Sequence, residues 1–223
     1  MAKRRKYNIN SDYFEIIDSE DKAYWLGYLM ADGNISKSNK NGNYDRLTVN
    51  CNPKDIEHLS KFKKCLDYEG DIKSSHKHHN TKNFDYDISE VRINCLKMCN
   101  DLILLGVVPN KTGKESFPQL ENSLKRHFVR GFFDGDGSLT KKGYFRIGSC
   151  SLKILEDISS FIKDEINEVL KIYSTDKYNY TFYTFDSGSQ VRNKKIMDLL
   201  YKDSSIYLQR KYERYIEKYC SPK

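Results

Sequence analysis

The sequence predicts an α+β protein of two pseudo-symmetric halves. Each half is ordered helix, strand, strand, helix, strand, strand, helix (αββαββα), with antiparallel sheets and a central two-helix interface. Three observations carry this expectation. A nine-residue pattern occurs twice, its aspartates falling 104 residues apart at Asp32 and Asp136. Alternating apolar and polar residues follow each copy. Finally, 17 Tyr and 11 Phe supply large buriable side chains to a chain that is only 38% hydrophobic, so both halves can build cores.

The first element is the repeat itself. Ala23 to Ile35 reads AYWLGYLMADGNI and His127 to Leu139 reads HFVRGFFDGDGSL. Gly27 and Ala31 match Gly131 and Gly135. Small residues at i and i+4 share one face of a helix, and two such faces let backbones approach closely. A helical glycine costs about 1 kcal/mol relative to alanine. Three of them at matched positions predict that the two helices pack on each other at a pseudo-two-fold axis.

The next elements follow in the same order in each half. Arg46–Cys51 and Tyr144–Ile147 alternate and predict strands. Asp55 and Ser151 are the expected N-caps of the helices that follow. Second strand pairs are expected near Gly70–His78 and Phe84–Ile93, and near Leu170–Asp176 and Thr181–Phe185. Closing helices are expected over Cys95–Leu105 and Gln190–Tyr201. The expected organisation is a basic tail over 1–18, an N-terminal half over 19–111, a linker over 112–120 and a C-terminal half over 121–220.

Composition excludes several classes. With 223 residues there is room for one large domain or two small ones. No run of about 18 apolar residues is present to span a membrane. The basic start, Met1 to Lys6, leads into no apolar core of a signal peptide, so an intracellular protein is expected. Six cysteines form no CxxC pair, which argues against a zinc finger or a disulfide framework. A net charge of +7 favours a polyanionic partner without identifying one.

Chemistry enters at the ends of the repeated helices. Asp32 and Asp136 fall in the last turn, before Gly33 and Gly137 as C-terminal caps. The C-terminus of a helix is partially negative, so a carboxylate is disfavoured there. Two carboxylates at paired C-termini are worse. A hard divalent cation reverses the sign, because carboxylate and carbonyl oxygens are its preferred ligands. With no His or Cys ligand set nearby, Mg²⁺ is expected rather than zinc.

WLGYLMADG (Trp25–Gly33) and VRGFFDGDG (Val129–Gly137) resemble the two motifs of a LAGLIDADG homing endonuclease in single-chain form. The resemblance covers roughly Ser19 to Tyr219. It implies saddle-shaped sheets over the major groove of double-stranded DNA, with the motif helices as the interface. It implies Mg²⁺-dependent cleavage of both strands at a long site, with Mn²⁺ substituting, and leaves 5′-phosphate and 3′-hydroxyl ends. The eighth motif residue is the metal-binding acid, here Asp32 and Asp136, aided by the carbonyls of Ala31 and Gly135. The sixth is Met30 in one copy and Asp134 in the other, a mild departure. Basic residues near the scissile phosphates are implied as well, and Lys54, Lys111 and Lys211 are the candidates.

Strand alternation then divides core from DNA face. Leu47, Val49, Cys51, Phe145 and Ile147 are expected inside. Arg46, Thr48, Asn50, Tyr144 and Arg146 are expected on the DNA face, where Arg and Asn can read base edges. Lys73, Ser75, Lys77, Lys171, Tyr173, Thr175 and Lys177 extend it. The run Lys73–Lys82, with His76, His78 and His79, reads as a DNA-facing hairpin tip rather than a metal site. Lys3–Lys6 reads equally as a phosphate-binding arm or a solvated tail. The halves differ in surface residues, so a monomer on an asymmetric target is expected, serving mobility of an intron or of its own gene. The alternatives are an RNA maturase binding intron RNA and a DNA-binding protein that does not cleave. An intein is not expected, because splice-junction residues are missing at Met1 and Lys223.

Overall fold

A computed structural model describes residues 7–40, 42–79, 83–177 and 179–221. The basic run Lys3–Lys6 and the end of the Lys73–Lys82 run lie outside the described residues, as does the side chain of His79.

The chain begins its first half with helix α1 (Glu20–Asp32), capped by Ser19, whose side chain accepts from the Lys22 amide. Every residue from Ala23 to Ala31 is buried. A helix apolar on all sides belongs at the centre of a structure, and α1 lies there, against α4 (Asn122–Asp136). The small residues make this possible. A Cβ at Gly27 would stand 2.0 Å from the Phe128 carbonyl oxygen, and one at Gly131 would stand 1.9 Å from that of Tyr24. A Cβ at Gly135 would lie 2.4 Å from that of Ala31. The helices therefore touch backbone to backbone.

Each central helix runs straight into a strand. Strands β1 (Gly33–Lys37), β2 (Tyr44–Cys51), β3 (Lys73–His79) and β4 (Phe84–Asn94) form an antiparallel sheet in the order β1-β2-β4-β3. Strands β5 (Gly137–Leu139), β6 (Phe145–Ser149), β7 (Ile172–Lys177) and β8 (Tyr180–Ser187) repeat it as β5-β6-β8-β7. Even the register repeats: Gly33 pairs with Val49 and Gly137 with Ile147. Gly33 and Gly137 do occupy the cap positions, but in extended conformation with φ of −74° and −90°. Crowding selects glycine at Gly33, where a Cβ would meet the Leu29 carbonyl oxygen at 2.6 Å.

The inner sheet faces, among them Leu47, Val49, Val91, Ile93, Phe145, Ile147 and Phe185, are fully or almost fully buried. They pack against α2 (Ile56–Cys65), α3 (Leu96–Leu104), α5 (Leu152–Ile166) and α6 (Gln190–Tyr201). Ser151 caps α5 as expected, accepting from the Ile154 amide. Asp55 caps nothing with its side chain. A 3₁₀ turn (Pro53–Asp55) precedes α2, and Asn52 caps that turn instead. Asp55 is thereby left to pair with Arg210 at 2.8 Å.

Two other expectations need correction. Residues 7–18 are not a loose tail. Phe14 is fully buried, Tyr13 nearly so, and the Asn10 amide donates to the Leu66 carbonyl. The second half also ends in a further helix, α7 (Gln209–Tyr215). Its inward positions include Lys211, which hides the apolar spacing a helix normally shows. Among the described residues no helix is long and apolar enough to cross a membrane.

Candidate metal centre and nucleic-acid face

Asp32 and Asp136 are the last residues of α1 and α4, and no loop separates either from the strand it precedes. The α1–α4 contact draws them together: the Cβ position at Gly135 lies 3.3 Å from Asp32 Oδ2. Burial pushes the Asp32 carboxyl up, opposed by Lys211, Lys111 and Arg210. Asp136 reaches solvent at its surface. It is nonetheless pushed up to about 7, first by the protein packed around it and then by the charge on Asp32, with Glu115 adding to the rise and Lys111 opposing it. The two carboxyls therefore disfavour each other's charge, the electrostatic condition a cation relieves.

The three candidate lysines have separate fates. Lys111 Nζ donates to the Ala31 carbonyl oxygen at 2.7 Å. This oxygen, expected as a metal ligand, thus already holds an ammonium group. Lys211 is 1% exposed, and its Nζ donates to the carbonyls of Phe133 at 2.5 Å, Asp134 at 2.8 Å and Gly137 at 2.6 Å. An ammonium has three donors, so none is left for a phosphate. Lys211 is a clamp on the C-terminus of α4, where carbonyls lack helical partners and a cation offsets the helix dipole. Its ammonium is pushed down to about 8 by burial. Lys54 is exposed and lines a cleft between α2 and α7 with His58, Lys61 and Arg210.

Asp134, at the sixth position of the second motif, proves structural and central. It is 1% exposed. Tyr24 Oη and the Leu208 amide each donate to its Oδ2 at 2.7 Å, and Tyr201 Oη donates to Oδ1. Since the Tyr24 proton is committed to Asp134, His58 Nε2, 3.0 Å from Tyr24 Oη, is the donor in that contact. One carboxylate therefore ties both motif helices to α6 and to the start of α7. The sequence marks it only as a mild departure from the motif, with no role attached. The available signal was an aspartate inside an otherwise apolar helical stretch. Arg210 was missed too, because its proximity to Asp32 depends on α7.

The expected DNA-face residues separate cleanly by register. In the first sheet Arg46 pairs with Asn94, Thr48 with Arg92 and Asn50 with Glu90, and Glu90 pairs in turn with Lys73. By alternation Ser75 and Lys77 share that face. Thr48 needs correction: it is buried, flanked across the ladder by Asn34 and Arg92, which leaves it little surface for a base. In the second sheet Arg146 pairs with Asp186 and Tyr173 with Thr184. Thr175 and Lys177 alternate onto the same side, while Tyr144 and Lys171 stand one residue before β6 and β7. His76 and His78 point the opposite way, in contact with Asp87 at 2.9 Å and Asp85 at 2.7 Å.

The donor set at the helix ends fits a hard cation, being oxygen throughout. Among the described residues no three His, Cys, Asp or Glu side chains could hold an ion alone.

Residues 123–218 match the LAGLIDADG-like domain. No curated protein matches the chain. Among solved structures it is similar to I-DmoI in complex with DNA and Mn, at 16% identity and a TM-score of 0.56, over 88% of this chain and 100% of that one. It is similar to the homing endonuclease I-WcaI bound to its DNA recognition sequence, at 13% identity and a TM-score of 0.54, over 90% of each chain. It is also similar to full-length DUF199/WhiA from Thermatoga maritima, at 15% identity and a TM-score of 0.53, over 93% of this chain and 63% of that one. The chain has the two-sheet fold of the LAGLIDADG homing endonucleases.

Proposed function

From that fold, with both motif aspartates in place, we propose that the protein is a divalent-metal-dependent endonuclease. Acting as an intracellular monomer, it hydrolyses both strands of a long, asymmetric DNA duplex, in the service of intron or gene mobility. The observation that carries this reading is the meeting of Asp32 and Asp136 across the glycine contact of α1 and α4.

Asp32, Asp136 and the Gly135 carbonyl are the groups that would hold Mg²⁺, or Mn²⁺ in its place. The bound cation supplies Lewis acidity for the attacking water and the leaving 3′ oxygen. The chain's own residues do the rest. Lys111 and Lys211 tie down the helix ends, so each carboxylate stays fixed relative to its sheet. Arg46, Asn50, Lys73, Ser75 and Lys77 on one sheet, with Tyr144, Arg146, Lys171, Tyr173, Thr175 and Lys177 on the other, contact the duplex. Most of these contacts go to phosphate and position the DNA, while Arg46, Asn50 and Arg146 are suited to base edges. Two acids, each at the end of its own helix, serve one strand each.

The test is cleavage of a randomised duplex library with Mg²⁺, followed by sequencing of the cut ends. A long preferred site with staggered ends, lost in the Asp32→Asn/Asp136→Asn double variant, is the expected result. A bound consensus without cleavage would overturn the nuclease and leave a DNA-binding protein.

A further inference from the structure

The linker holds a buried carboxylate, unsatisfied by the protein itself, at the start of α5, two residues beyond β6, the strand that pairs with β5 directly after Asp136. Glu115 is 8% exposed, and its Oε2 has no hydrogen-bond partner. Its placement is firm. The Ser151 hydroxyl donates to the Glu115 carbonyl oxygen at 2.6 Å, pinning the residue to the start of α5. A turn closed by the Lys114 amide on the Lys111 carbonyl sets the approach, from the residue that grips Ala31. The negative charge on Glu115 acts on Asp136 and on the neighbouring Cys150 thiol.

The two halves differ at this point. The cation Arg210, paired with Asp55, acts on Asp32. The anion Glu115 acts on Asp136. The Asp32 side of the pseudo-symmetric centre thus faces an ion pair, and the Asp136 side a carboxylate with an unpartnered oxygen.

A carboxylate oxygen only accepts, so Oε2 calls for a donor. Mg²⁺ dehydrates reluctantly and keeps several waters, each a polarised donor. We propose that Glu115 is a positioning residue of the Asp136 half-site: its free oxygen takes a hydrogen bond from water on the hydrated cation, and the two half-sites therefore bind their cations with unequal strength. The inference rests on the metal-dependent reading above. It needs no direct ligation by Glu115, in keeping with the absence, among the described residues, of any three-ligand cluster. Loss of such an outer-sphere partner typically lowers metal affinity by about 10- to 100-fold.

The experiment is a titration of the full chain with Mn²⁺ alone, without DNA, reading free Mn²⁺ by electron paramagnetic resonance. Wild type should show two classes of site. Glu115→Gln should weaken the tighter class by about tenfold or more and leave the weaker unchanged. Asp136→Asn should abolish the tighter class and Asp32→Asn the weaker. Glu115→Asp keeps the charge but shortens the reach, and should lose affinity almost as Glu115→Gln does. Circular dichroism melts check that every variant is folded. A Glu115→Gln titration that overlays wild type would overturn the role of Glu115 alone. Equal weakening of both classes, or wild-type affinity in Glu115→Asp, would reduce Glu115 to a distant charge and overturn the water-mediated contact. No Mn²⁺ binding by wild type at millimolar concentration would overturn the metal centre itself, and Glu115 with it.

Discussion

Gly131 lies against the carbonyl of Tyr24 so closely that a methyl group on it would stand 1.9 Å from the oxygen, and Gly27 repeats this relation with Phe128 at 2.0 Å. Helix propensity alone would make Gly131→Ala stabilising by about 1 kcal/mol. The clash with immobile backbone outweighs that. The variant should lose about 3 kcal/mol of stability or more, because overpacking here has no flexible side chain to displace. Urea unfolding measures it, and a midpoint at or above wild type would count against the close packing of α1 on α4.

Lys211 offers a contrast between two roles. As a clamp it satisfies three buried carbonyls, each costing about 1–3 kcal/mol when orphaned. Lys211→Met should therefore melt markedly lower, by at least about 3 kcal/mol. A variant of unchanged stability and abolished cleavage would instead return Lys211 to a catalytic role.

The motif acids should behave in the opposite manner. Asp32→Asn and Asp136→Asn each remove a charge from a crowded anionic site, so neither should unfold the protein. Each should abolish double-strand cleavage while gel-shift affinity for the target persists. Cleavage at the wild-type rate by either variant would remove that residue from the site.

Acid sensitivity follows from two buried imidazoles. Burial holds His58 down to about 3, and burial with the adjacent Arg130 holds His127 down to about 4, both from an ordinary value of 6.5. The unfolded chain protonates both histidines first, so below 6.5 it binds more protons than the folded chain. Their contribution is fully present above pH 6.5 and is lost as pH falls towards 4 and then 3. Urea midpoints should drop progressively below pH 6.5. His58→Phe should flatten part of that limb, and an unchanged slope would show that His58 is not buried as a neutral ring.

The recognition faces make separable predictions. Lys77→Ala should weaken binding to all duplexes alike and reduce the salt dependence by about one counterion. Arg146→Ala should cost about 1–3 kcal/mol and relax selectivity at one base pair. Competition binding at two salt concentrations distinguishes these outcomes, and uniform loss from Arg146→Ala would mark it as a phosphate contact.

What was legible in the sequence was whatever repeats or alternates. The motif helices, the succession of helices and strands within each half and the placing of Asp32 and Asp136 at helix ends all follow from local spacing. What was hidden depends on distant parts of the chain. Asp134 reads as an odd charge in an apolar helix until Tyr24, Tyr201 and Leu208 converge on it. Lys211 disguises α7 because it is a cation on a buried face. Asp55 has the chemistry of a cap but is held by Arg210, 155 residues away.

The direct passage from α1 into β1 and from α4 into β5 has a metrical consequence. Each carboxylate is the zero mark of a ruler whose graduations are the residues of the strand that follows. With no flexible joint between mark and scale, the bond to be cut stands a fixed number of base pairs from those being read. Because α1 and α4 also touch backbone to backbone, the two rulers are locked to each other. On the proposed reading, one base pair inserted at the centre of the target would therefore let only one half seat on its half-site, and binding and cleavage would fall together.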